Sequence, residues 1–314
     1  MYVFGFDVGG TTIKCGFFTE EGVLVDKWEI PTNQSADNQN QIPADIAKAI
    51  DEKLLEKNVD RKEVKGVGLG IPGPISKEGD VFHCPNLKWG RVPIRRLMEE
   101  KTGYPVRVGN DANVAALGEM FKGGGQGHSD IVMVTLGTGV GGGVIVNGKI
   151  VGGFMGGGGE IGHIIVNEEE TAKCGCGGHG HLEQYASATG IVRVAKKELD
   201  AYNGKTSLND VEKLTAKDIF DHAKAGDEFA IQVVEKCMTI LAAGLKPVAC
   251  TVNPEVFVIG GGVSKAGTII TESLKKHMSE NMMYPLGESE IKLATLGNDA
   301  GIYGAAKMII DEIL

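Results

Sequence analysis

No stretch of this chain stays apolar over the roughly 20 residues needed to cross a bilayer. No run of Lys or Arg is long enough to hold nucleic acid or an anionic membrane, and the formal net charge of −9 argues against the same partners. A secretory leader is missing too: Met1-Tyr2-Val3-Phe4-Gly5-Phe6-Asp7 reads directly as a strand, which predicts a cytoplasmic protein. In that compartment six cysteines among 314 residues do not make a disulfide framework. Cys15, Cys84, Cys237 and Cys250 stand in apolar surroundings and are expected to be buried thiols. Two nucleotide signatures are absent as well. There is no G-x-x-x-x-G-K-[ST] phosphate loop. Gly137-Thr138-Gly139-Val140-Gly141-Gly142 satisfies G-x-G-x-x-G, but a strand and an Asn147-Gly148 turn follow where a dinucleotide fold needs a helix.

What the chain has in excess is glycine, 47 residues, about double the usual share. The glycines cluster beside apolar runs, a placement suited to tight turns and close backbone approach to a ligand. Strands are expected at Tyr2–Asp7, Ile13–Phe18 and Val23–Trp28, then a helix from Pro43 to about Lys57. Ile42, Ile46, Ile50 and Leu54 share one face of that helix, with Pro43 in its first turn. A buried strand Val67–Ile71 ends at Pro72-Gly73-Pro74, a helix covers Ile94–Thr102, and Val106–Val108 leads as a strand into Asn110-Asp111 and a helix Ala112–Phe121. Strands follow at Ile131–Leu136, Val144–Val146 and Ile150–Val151; the pattern is mainly helical from Ala186 to Thr251. A strand Val256–Ile259, a Gly260-Gly261-Gly262 turn, a helix and a terminal helix Ile302–Leu314 complete the chain. Strand, glycine turn, strand, turn, strand occurs twice, at Val3–Val25 and Ile131–Val151, the mark of a duplicated α/β architecture.

Three groups of residues have chemistry to offer. The exposed amides of a glycine hairpin can form an anion-binding concavity without a helix terminus, so both hairpins are candidate phosphate grips. Asp111 stands between strand and helix, where aspartate is a favoured N-cap and the positive helix end favours the ionised carboxylate. Glu160-Ile161-Gly162-His163 is followed by Cys174, Cys176, His179, His181 and Glu183. Two cysteines and several histidines so close together suit tetrahedral zinc.

Asp7-Val8-Gly9-Gly10-Thr11-Thr12, Asn110-Asp111, Leu136–Gly143 and Gly260-Gly261-Gly262, in that order, carry a family resemblance. From Tyr2 to about Ala306 the chain resembles the glucokinase branch of the ROK family (repressors, open reading frames, kinases), within the sugar kinase–actin–heat-shock ATPase superfamily. The two hairpins are similar to that superfamily's first and second phosphate motifs. Val258-Ile259-Gly260-Gly261-Gly262-Val263 is similar to its adenosine motif, and Pro85-Asn86-Leu87-Lys88-Trp89 to an Asn-Leu-x-Trp stretch of the glucokinase branch.

The resemblance implies a fold and a division of the chain. The fold is α/β, a two-lobed duplicated ribonuclease H-like (actin/hexokinase-like) architecture with a cleft between the lobes. Residues 1–110 with the terminal helix 302–314 would form the small lobe, and residues 111–301 the large lobe with the zinc loop and adenosine motif. It also implies transfer of a phosphoryl group from ATP to O6 of glucose, giving glucose 6-phosphate and ADP. N-acetylmannosamine, mannose or fructose are the alternative acceptors. A sugar-responsive ROK repressor is the remote alternative, disfavoured because the chain starts in its first phosphate hairpin rather than in a helix-turn-helix.

The implied site follows residue by residue. Asp111 would be the base; Gly73, Asn86, Asn110, Glu160, His163 and Glu183 would hold the sugar alongside it. ATP would meet Asp7, Gly9, Gly10, Thr11, Thr12, Lys14, Gly137, Thr138, Gly139, Gly260, Gly261 and Gly262, with Asp7 acting on Mg²⁺ through water. A structural Zn²⁺ would be held by His163, Cys174, Cys176 and His181, the last standing where the family has a third cysteine and His179 being its rival. His163 has two ring nitrogens, one for zinc and one for a sugar hydroxyl. A homodimer is implied as well.

Overall fold

The first third of the chain runs β1 (Tyr2–Val8), β2 (Thr12–Thr19), β3 (Leu24–Pro31), α1 (Asn38–Lys57), β4 (Val64–Ile71), α2 (Ile94–Thr102) and β5 (Val106–Asn110) in a computed structural model that describes residues 1–313. The rest continues α3 (Asp111–Lys122), β6 (Ile131–Leu136), β7 (Val140–Val146), β8 (Lys149–Ile150), α4 (Glu183–Ala186), α5 (Ala188–Leu199), α6 (Ala216–Lys224), α7 (Glu228–Val252), β9 (Val256–Gly260), α8 (Thr268–Ser279), β10 (Glu290–Leu293) and α9 (Ala300–Ile313). Leu314, the last residue of the expected terminal helix, lies outside the described residues.

The strands form two five-stranded sheets, ordered β3-β2-β1-β4-β5 and β10-β9-β6-β7-β8. In each, an antiparallel three-stranded meander is extended by two parallel strands. Matching β1 with β6 makes the two sheets copies in order and direction, so the duplication read from the hairpins extends to whole sheets.

Period-two alternation assigns each strand two different partners. On β1, Phe4, Phe6 and Val8 enter a core with Ile42, Ile46, Ile50 and Leu54 of α1 and Met98 of α2, while Val3 faces Ile302, Ala306 and Ile309 of α9. On β6, Val132, Val134 and Leu136 enter the core of α4–α8, while Ile131 and Met133 meet Ala116 and Leu117 of α3. The helices are therefore exchanged. α3 leaves the first sheet and packs on the second; α9 leaves the second and packs on the first.

These two helices cross between the sheets at glycine. A Cβ on Gly118 would stand 2.0 Å from the Ala300 carbonyl oxygen, and one on Gly304 1.7 Å from that of Val114. Any larger residue at either position drives backbone into backbone.

Some expectations shift. α1 starts at Asn38, so Pro43 lies in the second turn rather than the first. Asn38 is buried, donating from Nδ2 to the Leu87 carbonyl (2.9 Å) and accepting from Trp89 Nε1 (2.8 Å), which fixes the helix start earlier. β10 was not expected, because Glu290-Ile291-Lys292-Leu293 is only partly buried and is recruited by its parallel pairing with β9. Cys15, Cys84 and Cys237 are buried thiols, but Cys250 is exposed on α7. Burial pushes the Cys15 and Cys237 thiols up to about 12.

Candidate active site

The ends of β1, β5, β6 and β9 converge on a cavity of about 730 Å³ between the sheets. Asp7 and Lys14 enter from the first hairpin, Gly73 follows β4, and Asn110 and Asp111 join β5 to α3. Thr135, Gly141, Glu160, Gly261 and Gly262 form the facing wall.

Asn110, not Asp111, is the N-cap of α3: its side-chain oxygen accepts from the amides of Ala112 (3.1 Å) and Asn113 (3.2 Å). Asn110 Nδ2 donates to the Gly73 carbonyl (3.1 Å) and to Asp111 Oδ1 (3.0 Å). With the cap supplied by its neighbour, Asp111 occupies the first helical position and faces the cavity, keeping one amide contact from Ala112 (2.9 Å). The expectation that the helix end keeps this carboxyl near its usual range is corrected. Burial raises it, the negative charges of Asp7 and Glu160 add to the rise, and only local hydrogen bonds oppose it. A raised carboxyl is a stronger base once ionised. Asp7 is likewise raised by burial, against the Lys14 ammonium 3.4 Å away.

The metal cluster is assembled by four residues. One donor atom from each of His163, Cys174, Cys176 and His181 lies within 4.8 Å of the others. Zinc ligands at about 2.0–2.3 Å in a tetrahedron stand roughly 3.3–3.8 Å apart. His163 Nδ1 is 3.4 Å from His181 Nδ1, and Cys176 Sγ is 3.3 Å from that same nitrogen. The donor set and spacing fit zinc, and His179 does not belong to the cluster. His163 keeps Nε2 free of it.

The remaining predicted residues stand elsewhere. Glu183 accepts from Cys174 Sγ (2.7 Å) and leans on the Gly139 turn, in a separate depression of about 400 Å³ with Thr138 and Gly139. His163 is exposed on the zinc-cluster side and does not line the Asp111 cavity. This segment is tied instead to α4 and α5, where Glu170 accepts from Tyr185 (2.7 Å) and Arg193 (2.9 Å) respectively. Gly9, Gly10, Thr11, Thr12 and Gly137 also lie outside the Asp111 cavity. The Gly9 amide is consumed by the Thr12 carbonyl and the Gly137 amide by that of Gly139, 3.0 Å in each case, so these two donors close their own turns. Gly260 is buried at the end of β9, and Asn86 is exposed with its backbone against Gly10.

Among the cavity residues that escaped the sequence reading are Thr295, Gly297 and Asn298, in the loop after β10. A signal for them exists. Gly297-Asn298-Asp299-Ala300 repeats Gly109-Asn110-Asp111-Ala112, and the two tetrapeptides occupy equivalent places before the exchanged helices. Asn113 was missed too. Its Oδ1 is, among the described residues, the one buried side-chain polar atom without a partner, and its Nδ2 reaches the Gly158 carbonyl at 3.5 Å, beside Glu160.

Comparison with known proteins adds the following. The model of the ROK family matches residues 3–312. A glucokinase of Halalkalibacterium halodurans is 45% identical over 97% of this chain and 94% of its own. Among solved structures, a ROK hexokinase from Thermus thermophilus superposes with a TM-score of 0.81 at 31% identity, covering 100% of this chain and 99% of that one. A ROK family glucokinase from Streptomyces griseus in complex with glucose and AMPPNP gives 0.71 at 33% identity, over 98% of this chain and 99% of that one.

Proposed function

The chain belongs to the ROK family, and we propose that it is a glucokinase, transferring the γ-phosphoryl group of ATP to O6 of glucose. One observation carries the reading: a half-buried, upward-shifted Asp111 shares a single cavity with Asp7 and with the Gly261-Gly262 turn, between two copies of one sheet. Residues 1–110 with the terminal helix from residue 302 onward would form one lobe and residues 111–301 the other, with α3 and α9 crossing between the sheets.

Glucose enters between Gly73, Asn110, Asp111 and Glu160. His163 and Glu183, on the same lobe as Glu160, are the further candidates to hold the sugar, and closure of the lobes would exclude water from the phosphoryl group. Asp111 orients the O6 hydroxyl and accepts its proton. The O6–Pγ bond forms, the bond from Pγ to the β,γ-bridging oxygen breaks, and ADP leaves with the bonding pair. Such transfer is largely dissociative, so positioning and charge stabilisation supply most of the rate. Asp7 would act on Mg²⁺ through water, and that ion would neutralise charge on the phosphate oxygens. Lys14, paired with Asp7 here, is free to turn to the phosphates once that carboxylate is engaged. His163, Cys174, Cys176 and His181 are the residues to hold Zn²⁺, whose chemistry here is structural, ordering the loop that leads to Glu183.

A homodimer and a cytoplasmic setting remain part of this proposal. Among the described residues no helix is long and apolar enough to cross a membrane.

The test is coupled detection of ADP over a panel of glucose, mannose, fructose and N-acetylmannosamine, with and without Mg²⁺. Glucose should give the highest kcat/KM. A higher value on another hexose overturns the sugar assignment, and no ADP release on any of them overturns the kinase.

A further inference from the structure

The Glu119 side chain on α3 is fully buried, and no cation pairs with it. Its Oε2 accepts from the amides of Gly124 (2.8 Å) and Thr295 (3.0 Å), and its Oε1 from that of Leu296 (2.9 Å). A buried carboxylate is tolerable only when such donors replace its lost hydration. Three backbone donors therefore have one consequence: the chain at Thr295-Leu296 is held against the end of α3, far in sequence from it. The next residues, Gly297 and Asn298, are part of the cavity wall beside Gly261-Gly262. A little further on, Gly301 packs against Asp7, and a Cβ there would stand 2.6 Å from the Asp7 carboxyl carbon.

The two asparagines of the repeat have diverged. Asn110 spends its side chain capping α3 and bracing Gly73 and Asp111. Asn298 makes no side-chain hydrogen bond among the described residues, is exposed, and borders the cavity. Asp299 of the second copy pairs outward with Lys27 rather than facing the cavity. So the second copy offers one uncommitted donor amide, lining the same cavity as the carboxylate Asp7 and the Gly261-Gly262 turn. A chain of phosphates joining those two places shares that cavity with it.

We propose that Asn298 is a ligand of the phosphate chain of the bound nucleotide, donating from Nδ2 to a phosphate oxygen, and that Glu119 is the positioning residue that holds its loop. This rests on the reading of the cavity as a nucleotide site, but not on the identity of the sugar.

A hydrogen bond to a charged group is worth roughly ten- to hundredfold in affinity. Calorimetry with AMPPNP in the absence of sugar should thus show binding at least about tenfold weaker in Asn298→Ala, with the glucose KM of the same variant within about twofold of wild type. Glu119→Gln retains the shape but turns an amide NH₂ toward backbone donors. It should weaken AMPPNP in the same way and speed hydrogen exchange at the Thr295 and Leu296 amides by at least about tenfold. Glu119→Asp, which keeps the charge but falls short of the loop, should lie between. Unchanged AMPPNP affinity in Asn298→Ala overturns the ligand assignment, and unchanged affinity in a folded Glu119→Gln overturns the positioning role. If Glu119→Gln does not fold, Asn298→Ala still decides, because it leaves the carboxylate and its three amides in place. A wild-type protein that binds AMPPNP but phosphorylates a different hexose would count against the sugar assignment alone.

Discussion

Replacing Asp111 by Asn separates catalysis from stability in a way the local geometry dictates. The variant is isosteric, and its side-chain oxygen can keep the Ala112 amide contact at 2.9 Å. The α3 cap is untouched because Asn110 supplies it. What disappears is the proposed proton acceptor at the sugar hydroxyl and a negative charge that burial, Asp7 and Glu160 all disfavour. Loss of a positioned base costs about 10²–10⁴ in rate, or roughly 3–5 kcal/mol of barrier. Stability should move the other way. Because the folded carboxyl is raised, its strain on the native state is full at pH above the folded value and is relieved as pH falls through it toward the unfolded value near 4. Asp111→Asn should therefore melt at the same or a higher temperature than wild type at neutral pH, with that advantage vanishing in acid. In wild type, kcat/KM should fall on the acid side with a midpoint above the ordinary aspartate value. Steady-state kinetics from pH 4 to 9 and paired thermal melts measure both. A variant keeping more than about a tenth of the wild-type rate, or one destabilised at neutral pH, refutes the reasoning.

Gly304→Ala places a methyl carbon 1.7 Å from the Val114 carbonyl oxygen, and overpacking of this kind costs at least about 1–3 kcal/mol; the urea midpoint should fall, and an unchanged midpoint would show that the helices can part freely. Elemental analysis of wild-type protein should find about one zinc per chain, and Cys176→Ser should lose most of it while the Asp111 cavity survives, seen as retained AMPPNP binding. Arg193→Met removes the partner of Glu170, whose carboxyl is held at about 2. That pair's contribution is full above the ordinary glutamate range and is lost as pH falls through about 2, so the stability gap between variant and wild type should close in strong acid.

The fold was legible where local pattern and tertiary role coincide. The hairpins announced themselves through glycine turns between β-branched runs, and β6 and α2 fell on their expected residues because each carries its own periodicity. β10 did not, since it owes its conformation to β9. The site was half legible. Asp7, Asn110, Asp111 and Glu160 do meet, whereas Glu183 and His163 belong to the zinc-cluster side of the molecule. Chain order shows which motifs are present but not how far apart two lobes stand. Glu119 was invisible for a different reason: its partners are backbone amides, which leave no trace in residue type.

The second Gly-Asn-Asp-Ala shows how a duplicated sheet becomes an enzyme with two unlike substrates. If both copies had kept the same roles, the cavity would hold two bases facing two identical half-sites, and neither phosphoryl donor nor acceptor would be distinguished. Instead each equivalent pair has split. Asp7 of the first hairpin corresponds to Thr135 of the second, so only one hairpin carries a carboxylate into the cavity. Asp111 faces the cavity, whereas Asp299 is drawn out by Lys27. Glu119 of α3 corresponds to Lys307 of α9, which pairs with Asp311 on its own helix. The buried anion that grips the partner loop therefore exists on one side only. The exchange of α3 and α9 then makes the asymmetry useful. Each helix starts at the cavity on one sheet's strand and packs on the other sheet, so a movement of one lobe carries Asp111 or Asn298 with it. Under the proposed closure, rotation about the Gly118–Gly304 crossing would bring acceptor and donor ends together in a single motion. Substitutions at that crossing should consequently impair kcat and both KM values together, where Asn298→Ala impairs only the nucleotide's.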